Sequence, residues 1–290
     1  MSTFLVFGAT GPAGRAVLER LRGGAARVFA VSRSAAAADV AGPTAWIRGD
    51  LNGAVGALPA TIEVILSLGP LDAFAGWFER HAPAGTRRVV ALSSMSAQSK
   101  QASTDPAERE LALRLRAAEQ RLAGAAQARG VAWTVLRPTL LYGDGRDRSL
   151  APIARFMRRW HVAPIPFGAV GLRQPLHVGD LAAAVLAAVD SDAAAGQIYP
   201  LGGGERLRFV DLMRRLRHAV PGFVLPLPLP LIALRLAQRS GATVFNAAAI
   251  ARLRVALVAD NAAATRDLGH VPRAFAAHDV LPAEQGDRAR

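Results

Sequence analysis

Short runs rich in Val, Ile, Leu and Phe recur along the first two hundred residues, at Thr3–Phe7, Arg27–Val31, Ala45–Ile47, Val64–Leu68, Arg88–Leu92, Ala132–Leu136 and Gln197–Leu201. Between them the apolar positions change to helical spacing, over Ala13–Arg22, Leu71–His81, Pro106–Arg129 and Asp180–Val189. Strands that alternate with helices predict an α/β fold, a doubly wound parallel sheet with helices on both faces. Right-handed crossovers leave few ways to order such strands.

From about Asp144 the pattern changes. Residues 144–172 hold Pro152, Pro164 and Pro166 and show no clear strand, and residues 202–281 read as loops and short helices. The pattern therefore predicts a main domain from residues 1–143 and 173–201. Residues 144–172 and 202–281 are expected to form a smaller, mostly helical lobe over the strand ends. The polar stretch 282–290 reads as a flexible tail.

Composition narrows the class. A chain of 290 residues that is 51% hydrophobic and 20% charged can bury a full core, which argues against global disorder. The absence of cysteine excludes disulfides, thiolate metal sites and a cysteine nucleophile. The six histidines show no metal-ligand spacing, so no metal site is expected. The longest late apolar run, Phe223–Leu234, is broken by Pro226, Pro228 and Pro230 and is too short to span a bilayer. With no N-terminal targeting pattern, the expected location is cytoplasmic. That same run, with Arg235 and Arg239 behind it, could rest on a bilayer surface, but it reads more simply as a helix-and-turn piece of the lobe, and peripheral membrane or protein-complex association stays open. The formal charge of +13 raises the question of nucleic acid, but the basic residues are scattered and almost all arginine. Attraction of an anionic cofactor or small-molecule substrate is the simpler use of that field.

The first strand runs into Gly8-Ala9-Thr10-Gly11-Pro12-Ala13-Gly14-Arg15 and then a helix. Gly8 permits a tight turn, Gly11 lets backbone approach a pyrophosphate, and Gly14 lets helix and strand pack closely. The helix N-terminus offers free N–H groups and a positive dipole end to phosphates. This context is what distinguishes a dinucleotide loop of the Rossmann type from a chance glycine triplet. The second strand ends at Val31-Ser32-Arg33-Ser34, where an NAD-selective site places a carboxylate against the ribose 2′-hydroxyl. Here an arginine stands instead, ready for a 2′-phosphate, and Arg15 is a second candidate phosphate partner. NADP(H) is therefore the favoured cofactor, with NAD(H) as the alternative.

With this loop, the chain resembles the extended and atypical short-chain dehydrogenases, of the NAD-dependent epimerase/dehydratase type. Gly8 to Gly14 match that family's glycine motif, with Thr10, Pro12 and Ala13 in the loop. Gly49-Asp50-Leu51 matches its segment after the third strand, which implies a contact from Asp50 to adenine. Ser67-Leu68-Gly69-Pro70 resembles the loop near the nicotinamide ribose. Leu92-Ser93-Ser94 resembles the end of the fifth strand, where the family carries a catalytic or positioning Ser or Thr. The segment from Arg137-Pro138 to Tyr142-Gly143 resembles the lead into the substrate lobe. Gln174 to Ala182, around His177, and Leu201 to Gly204 resemble later family elements. The resemblance thus implies cofactor contacts from Ser32, Leu51, Ser67, Leu68, Gly69, Ser93 and Pro138. Arg173 matches a position that often grips a substrate phosphate, and Ser96 is a further substrate candidate.

One departure outweighs these matches. The family's proton-transfer pair is Tyr-x-x-x-Lys on the long helix after the fifth strand. This chain has two tyrosines, Tyr142 and Tyr199, and one lysine, Lys100, none of them on that helix. Counting from Glu119, which resembles the family's helix glutamate, the pair would fall near Leu111 and Leu115. The pattern resembles the atypical branch that includes the NADPH-binding accessory subunit of respiratory complex I, as does Arg266 to Phe275. Two functions stay open: an oxidoreductase or epimerase with an altered proton donor, and a non-catalytic NADP(H)-binding sensor, assembly factor or accessory subunit. For the first, Tyr142, Ser94 and His177 are the candidate catalytic groups.

Overall fold

The computed structural model describes residues 2–34, 44–147, 149–230 and 252–281. A seven-stranded parallel sheet forms its centre, built from β1 (Thr3–Phe7), β2 (Arg27–Ser32), β3 (Thr44–Arg48), β4 (Val64–Ser67), β5 (Arg88–Leu92), β6 (Ala132–Pro138) and, after the lobe strands below, β11 (Gln197–Leu201). Across the sheet the order is β3-β2-β1-β4-β5-β6-β11. The chain builds outward from β1 to β3, then returns to the other side of β1 to begin β4. Such a reversal leaves a crevice beyond the carboxyl ends of β1 and β4, where this fold class binds ligands.

Every residue of β1, β4 and β5 is buried, because helices cover both faces of the sheet. In β1, Phe4 and Val6 join the core under α1 (Pro12–Leu21) and α6 (Val178–Asp190). Leu5 and Phe7 join the opposite core, under α2 (Leu71–His81) and α4 (Pro106–Gln127). That alternation follows from the period of two along a strand. The helix α4 starts at Pro106, with the Asp105 carboxylate accepting from the Ala107 N–H at 2.9 Å.

A third core cluster joins Tyr142 to Leu150, Met157, Ile165, Leu216 and Phe275. Around it lie α5 (Ala151–Trp160), α7 (Phe209–Ala219) and small two-stranded sheets. Four of these strands are two residues long: β7 (Leu141–Tyr142) pairs with β10 (Leu176–His177), and β9 (Leu172–Arg173) with β12 (Leu207–Arg208). The remaining pair corrects the expectation of a strandless lobe. β8 (Val162–Phe167) runs parallel to β13 (Leu225–Pro230). Prolines that seem to forbid a strand are placed so that they do no harm. Leu225 donates to the His161 carbonyl at 2.8 Å, so residues 225, 227 and 229 face the partner strand. Pro226, Pro228 and Pro230 then lie on the outer edge, where a missing N–H breaks no ladder bond and blocks further pairing. Residues 231–234 of the apolar run and the tail 282–290 lie outside the described residues. Among the described residues no helix is long and apolar enough to cross a membrane.

Candidate functional site

The glycine loop stands at the mouth of the crevice. Gly8 has φ of +74°, and a Cβ there would lie 2.6 Å from the backbone of Leu68 and Gly69, at the end of β4. A Cβ on Gly14 would lie 2.3 Å from the Gly8 carbonyl oxygen, so α1 sits directly on the loop. Gly11 differs. A Cβ there would meet only the Gly8 carbonyl oxygen, at 3.4 Å, so its outer side is open. Gly11 caps α1 without a side-chain hydrogen bond, and the first helical bond runs from the Arg15 N–H to the Gly11 carbonyl. Pro12 has no N–H, which leaves those of Ala13 and Gly14 unpaired at the helix start. Open backbone beside free N–H donors at a positive dipole end is a phosphate cradle.

From this cradle a crevice of about 560 Å³ runs along the ends of β1, β2 and β3. Gly8, Thr10, Ser32, Arg33, Asp50 and Leu51, the residues the sequence marks as cofactor candidates, line it. Ser34 and Pro70 line it too, as do Asn52 and Ala73, which no sequence signal marked. The loop after β3 is fixed by the Gly49 N–H on the Ser32 carbonyl at 2.9 Å and by Asp50, whose carboxylate accepts from the Asn52 N–H at 3.0 Å. The Arg33 side chain is exposed and shares a neighbouring hollow of about 520 Å³ with Arg48, the residue opposite Ser32 in the β2–β3 pairing. A dinucleotide would fit these residues, with its pyrophosphate at the glycine loop and its adenosine half along the crevice. Arg15 does not line this crevice, and its buried Nε has no partner.

Toward β5 and β6 the polar groups are engaged with the protein itself. Ser93 donates its hydroxyl to the Glu119 carboxylate, which the Arg137 guanidinium also grips, with Nε to Oε1 at 2.9 Å. Glu119 is 2% exposed, so the three groups form a buried tie between β5, β6 and α4. This corrects the expectation of a cofactor contact through the Ser93 hydroxyl. Ser67 is fully buried, and its hydroxyl is the exception, with no hydrogen-bond partner. Leu68 and Pro138 are also buried, and the loop at Leu68-Gly69 acts as the floor against which Gly8 packs.

The candidate proton donors are also engaged within the protein. Tyr142 is fully buried, packed edge-on between His177 and Phe275. Its hydroxyl accepts from the Ala276 N–H at 3.1 Å, and burial pushes its pKa up. His177 caps α6, with Nδ1 accepting from the Gly179 N–H at 3.0 Å. Desolvation lowers its pKa, so it is held neutral in that role. Ser94 accepts from the Ser96 N–H at 3.1 Å and starts the short helix α3 (Ser96–Ser99). Arg173 is 8% exposed and donates to the carbonyls of Leu172, Arg252 and Val255, at 2.7–2.9 Å. It ties the segment from Arg252 to β9 rather than presenting its fork to a phosphate. Tyr199 is buried beside α8 (Ala262–Leu268), whose Ala264 and Leu268 join the sheet core, and donates to Asp267 at 2.9 Å. Burial pushes its pKa up to about 12. The helix α4 contains neither Tyr nor Lys.

A second hollow opens beside α3, and it gathers residues that sequence reading left apart. About 580 Å³ in volume, it is lined by Ser96, Ser99, Lys100, Glu108, Arg173 and Arg252 among others. Of these, Ser96 and Arg173 were expected near a substrate. Among the described residues no group of His, Asp or Glu is assembled to hold a metal ion.

Known proteins resemble this chain in sequence and in fold. Residues 74–202 match the NAD dependent epimerase/dehydratase family. Over 163 residues the chain is 29% identical to NADH dehydrogenase (ubiquinone) 1 alpha subcomplex subunit 9, mitochondrial, of Arabidopsis thaliana, covering 51% of this chain and 40% of that protein. Over 116 residues it is 26% identical to UDP-glucose 4-epimerase of Vibrio cholerae, covering 39% of this chain and 35% of that protein. The matched part thus spans less than half the length of either relative. In fold it is similar to MoeE5 solved with UDP-glucuronic acid and NAD, with a TM-score of 0.71 at 21% identity and 96% of both chains covered. It is likewise similar to UDP-glucuronic acid 4-epimerase of Bacillus cereus with UDP-glucuronic acid and NAD, with a TM-score of 0.69 at 14% identity and 97% of both chains covered. With the sheet order and the glycine loop already described, the match over residues 74–202 makes this chain similar, over that part, to the NAD dependent epimerase/dehydratase family.

Proposed function

We propose that this protein holds NADP(H) in the crevice beyond β1 and β4 and does not perform the family's tyrosine-driven proton transfer. The observation that carries this reading is the state of the phenols. α4 has no tyrosine, and both tyrosines of the chain are buried with hydroxyls engaged by Ala276 and Asp267. A general acid must lie within hydrogen-bond reach of the reacting group, with a pKa near the working pH, and these phenols meet neither condition.

The phosphate form is favoured by Arg33, which stands where a carboxylate would select the unphosphorylated ribose. Ala13, Gly14 and the open side of Gly11 would hold the pyrophosphate, and Asp50 and Leu51 would border the adenine. When bound, the dinucleotide supplies hydride chemistry; this chain's residues bind and orient it. An accessory or sensing role, with assembly into a protein complex, is consistent with the likeness to a complex I subunit. An oxidoreductase is the second reading, favoured by the hollow beside Ser96 and Lys100, which leaves room for a substrate. UDP-sugars, bound by the structural relatives, are the substrate class to try first.

The test is a fluorescence titration with NADPH and NADH, followed by single-turnover assays of the loaded protein against carbonyl compounds and UDP-sugars. Tighter binding of NADPH without turnover is the expected result. Turnover that Tyr142→Phe lowers by about 10²–10⁴-fold, the size for loss of a general acid, would overturn it.

A further inference from the structure

Arginines are scattered along this chain, but its acids are not. No Asp or Glu occurs between Asp147 and Asp180, or between Asp211 and Asp260. Those two stretches hold twelve arginines, against a net charge of +13 for the whole chain, so the rest is close to neutral. Among the described residues they supply α5, β8, β13 and most of α7. The positive charge therefore gathers on the lobe.

Along α5 this charge stands beside an apolar edge. The helix buries Ala151, Ala154 and Met157 in the lobe core. Its opposite side presents Pro152, Phe156 and Trp160, spaced four apart and so aligned along the axis, with Arg155, Arg158 and Arg159 among them. Trp160 is 64% exposed, and the Arg159 guanidinium lies 5.8 Å from the centre of its ring. The next residue joins this helix end to the start of β13. The His161 carbonyl accepts from the Leu225 N–H at 2.8 Å, and His161 Nδ1 lies 3.3 Å from the Phe223 carbonyl oxygen. Phe223 is 76% exposed, and Leu225 and Leu227 after it are exposed as well. Arg217 of α7 donates to the Val224 carbonyl at 2.9 Å, which brings a further cation to the same place.

Exposed apolar side chains gathered in this way mark an interaction surface. The chemistry around them selects the occupant. Aromatic and aliphatic groups ringed by arginine alone suit the boundary of a bilayer, where the rings lie at headgroup depth and the cations meet anionic lipid. Leu225 and Leu227 have no use against a nucleic-acid backbone, whose affinity for protein is electrostatic. A second copy of this chain would bring like charge to like charge. Pro226, Pro228 and Pro230 deny the outer edge of β13 to a pairing strand. At ten residues α5 is too short to cross a bilayer, so it would lie along the surface.

We infer that the lobe docks on a membrane surface carrying anionic lipid, through Phe156, Trp160 and Phe223, with Arg158 and Arg159 on the lipid phosphates. This docking needs neither cofactor nor turnover, so it does not rest on the reading of the crevice.

Co-sedimentation of the whole chain with vesicles tests it, with phosphatidylcholine alone and with phosphatidylcholine mixed in equal parts with phosphatidylglycerol. Binding to the mixed vesicles only, weakened by salt, is the expected result. The protein carries its own probe of insertion. Of its four tryptophans, Trp77 and Trp133 are buried and Trp46 is partly buried, so a blue shift of emission on binding reports Trp160. Arg158→Glu with Arg159→Glu, and separately Phe156→Ser with Phe223→Ser, should each weaken binding about tenfold or more, with folding checked by circular dichroism. Arg22→Glu with Arg116→Glu makes the same charge change at exposed sites outside the lobe and should cost far less. The inference falls if neither kind of vesicle binds, in which case an acidic protein becomes the occupant to seek. It falls equally if phosphatidylcholine alone binds as well, if the emission does not shift, or if the control pair costs as much as the arginine pair. Tighter binding to a single-stranded polynucleotide than to vesicles at the same salt would also overturn it.

Discussion

The two ends of the cleft in this protein treat their polar groups in opposite ways. Beyond β1 and β2, the α1 N–H groups point outward without partners, Gly11 leaves open space, and Arg33 is exposed. Beyond β5 and β6, Ser93, Glu119, Arg137, Tyr142 and His177 all bond to one another or to backbone. A region prepared for a ligand keeps donors unsatisfied until the ligand comes. A region that has become structural satisfies them internally, because a buried polar group without a partner is costly. The contrast sets an open crevice, where a dinucleotide would fit, against an end of the cleft whose polar groups are engaged within the protein.

The largest expected effect tests the structural end. Glu119→Ala would leave the half-buried Arg137 without its partner, so denaturant unfolding should show a loss of about 3 kcal/mol or more, the lower end of the range for breaking a buried pair. An unchanged midpoint would mean that the tie is not structural and that Glu119 is free for chemistry.

At the open end, Gly11→Val should reduce NADPH affinity by about a hundredfold or more, close to 2.8 kcal/mol at 1.4 kcal/mol per factor of ten. The fold should survive, because the nearest atom to a Cβ there is 3.4 Å away. Equal affinity in the variant, read by the same fluorescence titration, would reduce the loop to a mere turn.

Sharpening the same end, Arg33→Asp should reverse the cofactor preference. Loss of a charge-assisted contact to the 2′-phosphate is worth roughly 1.5–3 kcal/mol, and the new carboxylate would suit the free 2′-hydroxyl. Parallel affinities for both cofactors in the parent protein would remove the basis of this prediction.

The smallest effect is one of acidity. His177 and His270 have pKa values held below the ordinary value by desolvation. In the unfolded chain they take up protons near pH 6.5, while the folded protein resists doing so. Stability from these groups is therefore complete above about pH 6.5 and declines as the pH falls below it. His177→Asn, which keeps a capping acceptor that cannot titrate, should flatten the thermal-midpoint profile between about pH 7 and pH 5. A variant profile as steep as the parent's would assign the acid sensitivity elsewhere.

Much of this molecule was determined by its sequence alone. β1, β5 and β11 follow from short apolar runs, and the sheet order from their alternation with helices. The cradle follows from glycines at fixed local spacing, and the absence of Tyr and Lys on α4 from simple inspection. These signals are legible because backbone geometry couples residues only a few positions apart. The strands β8 and β13 escaped, because which edge a proline faces depends on a partner some sixty residues away. Tertiary structure decided the fate of Tyr142, whose hydroxyl is bonded by Ala276, 134 residues later. It also brought Lys100 and Glu108 against Arg252. No periodicity records a meeting of that kind, since it is packing of distant segments that sets which polar groups end up sharing one buried space.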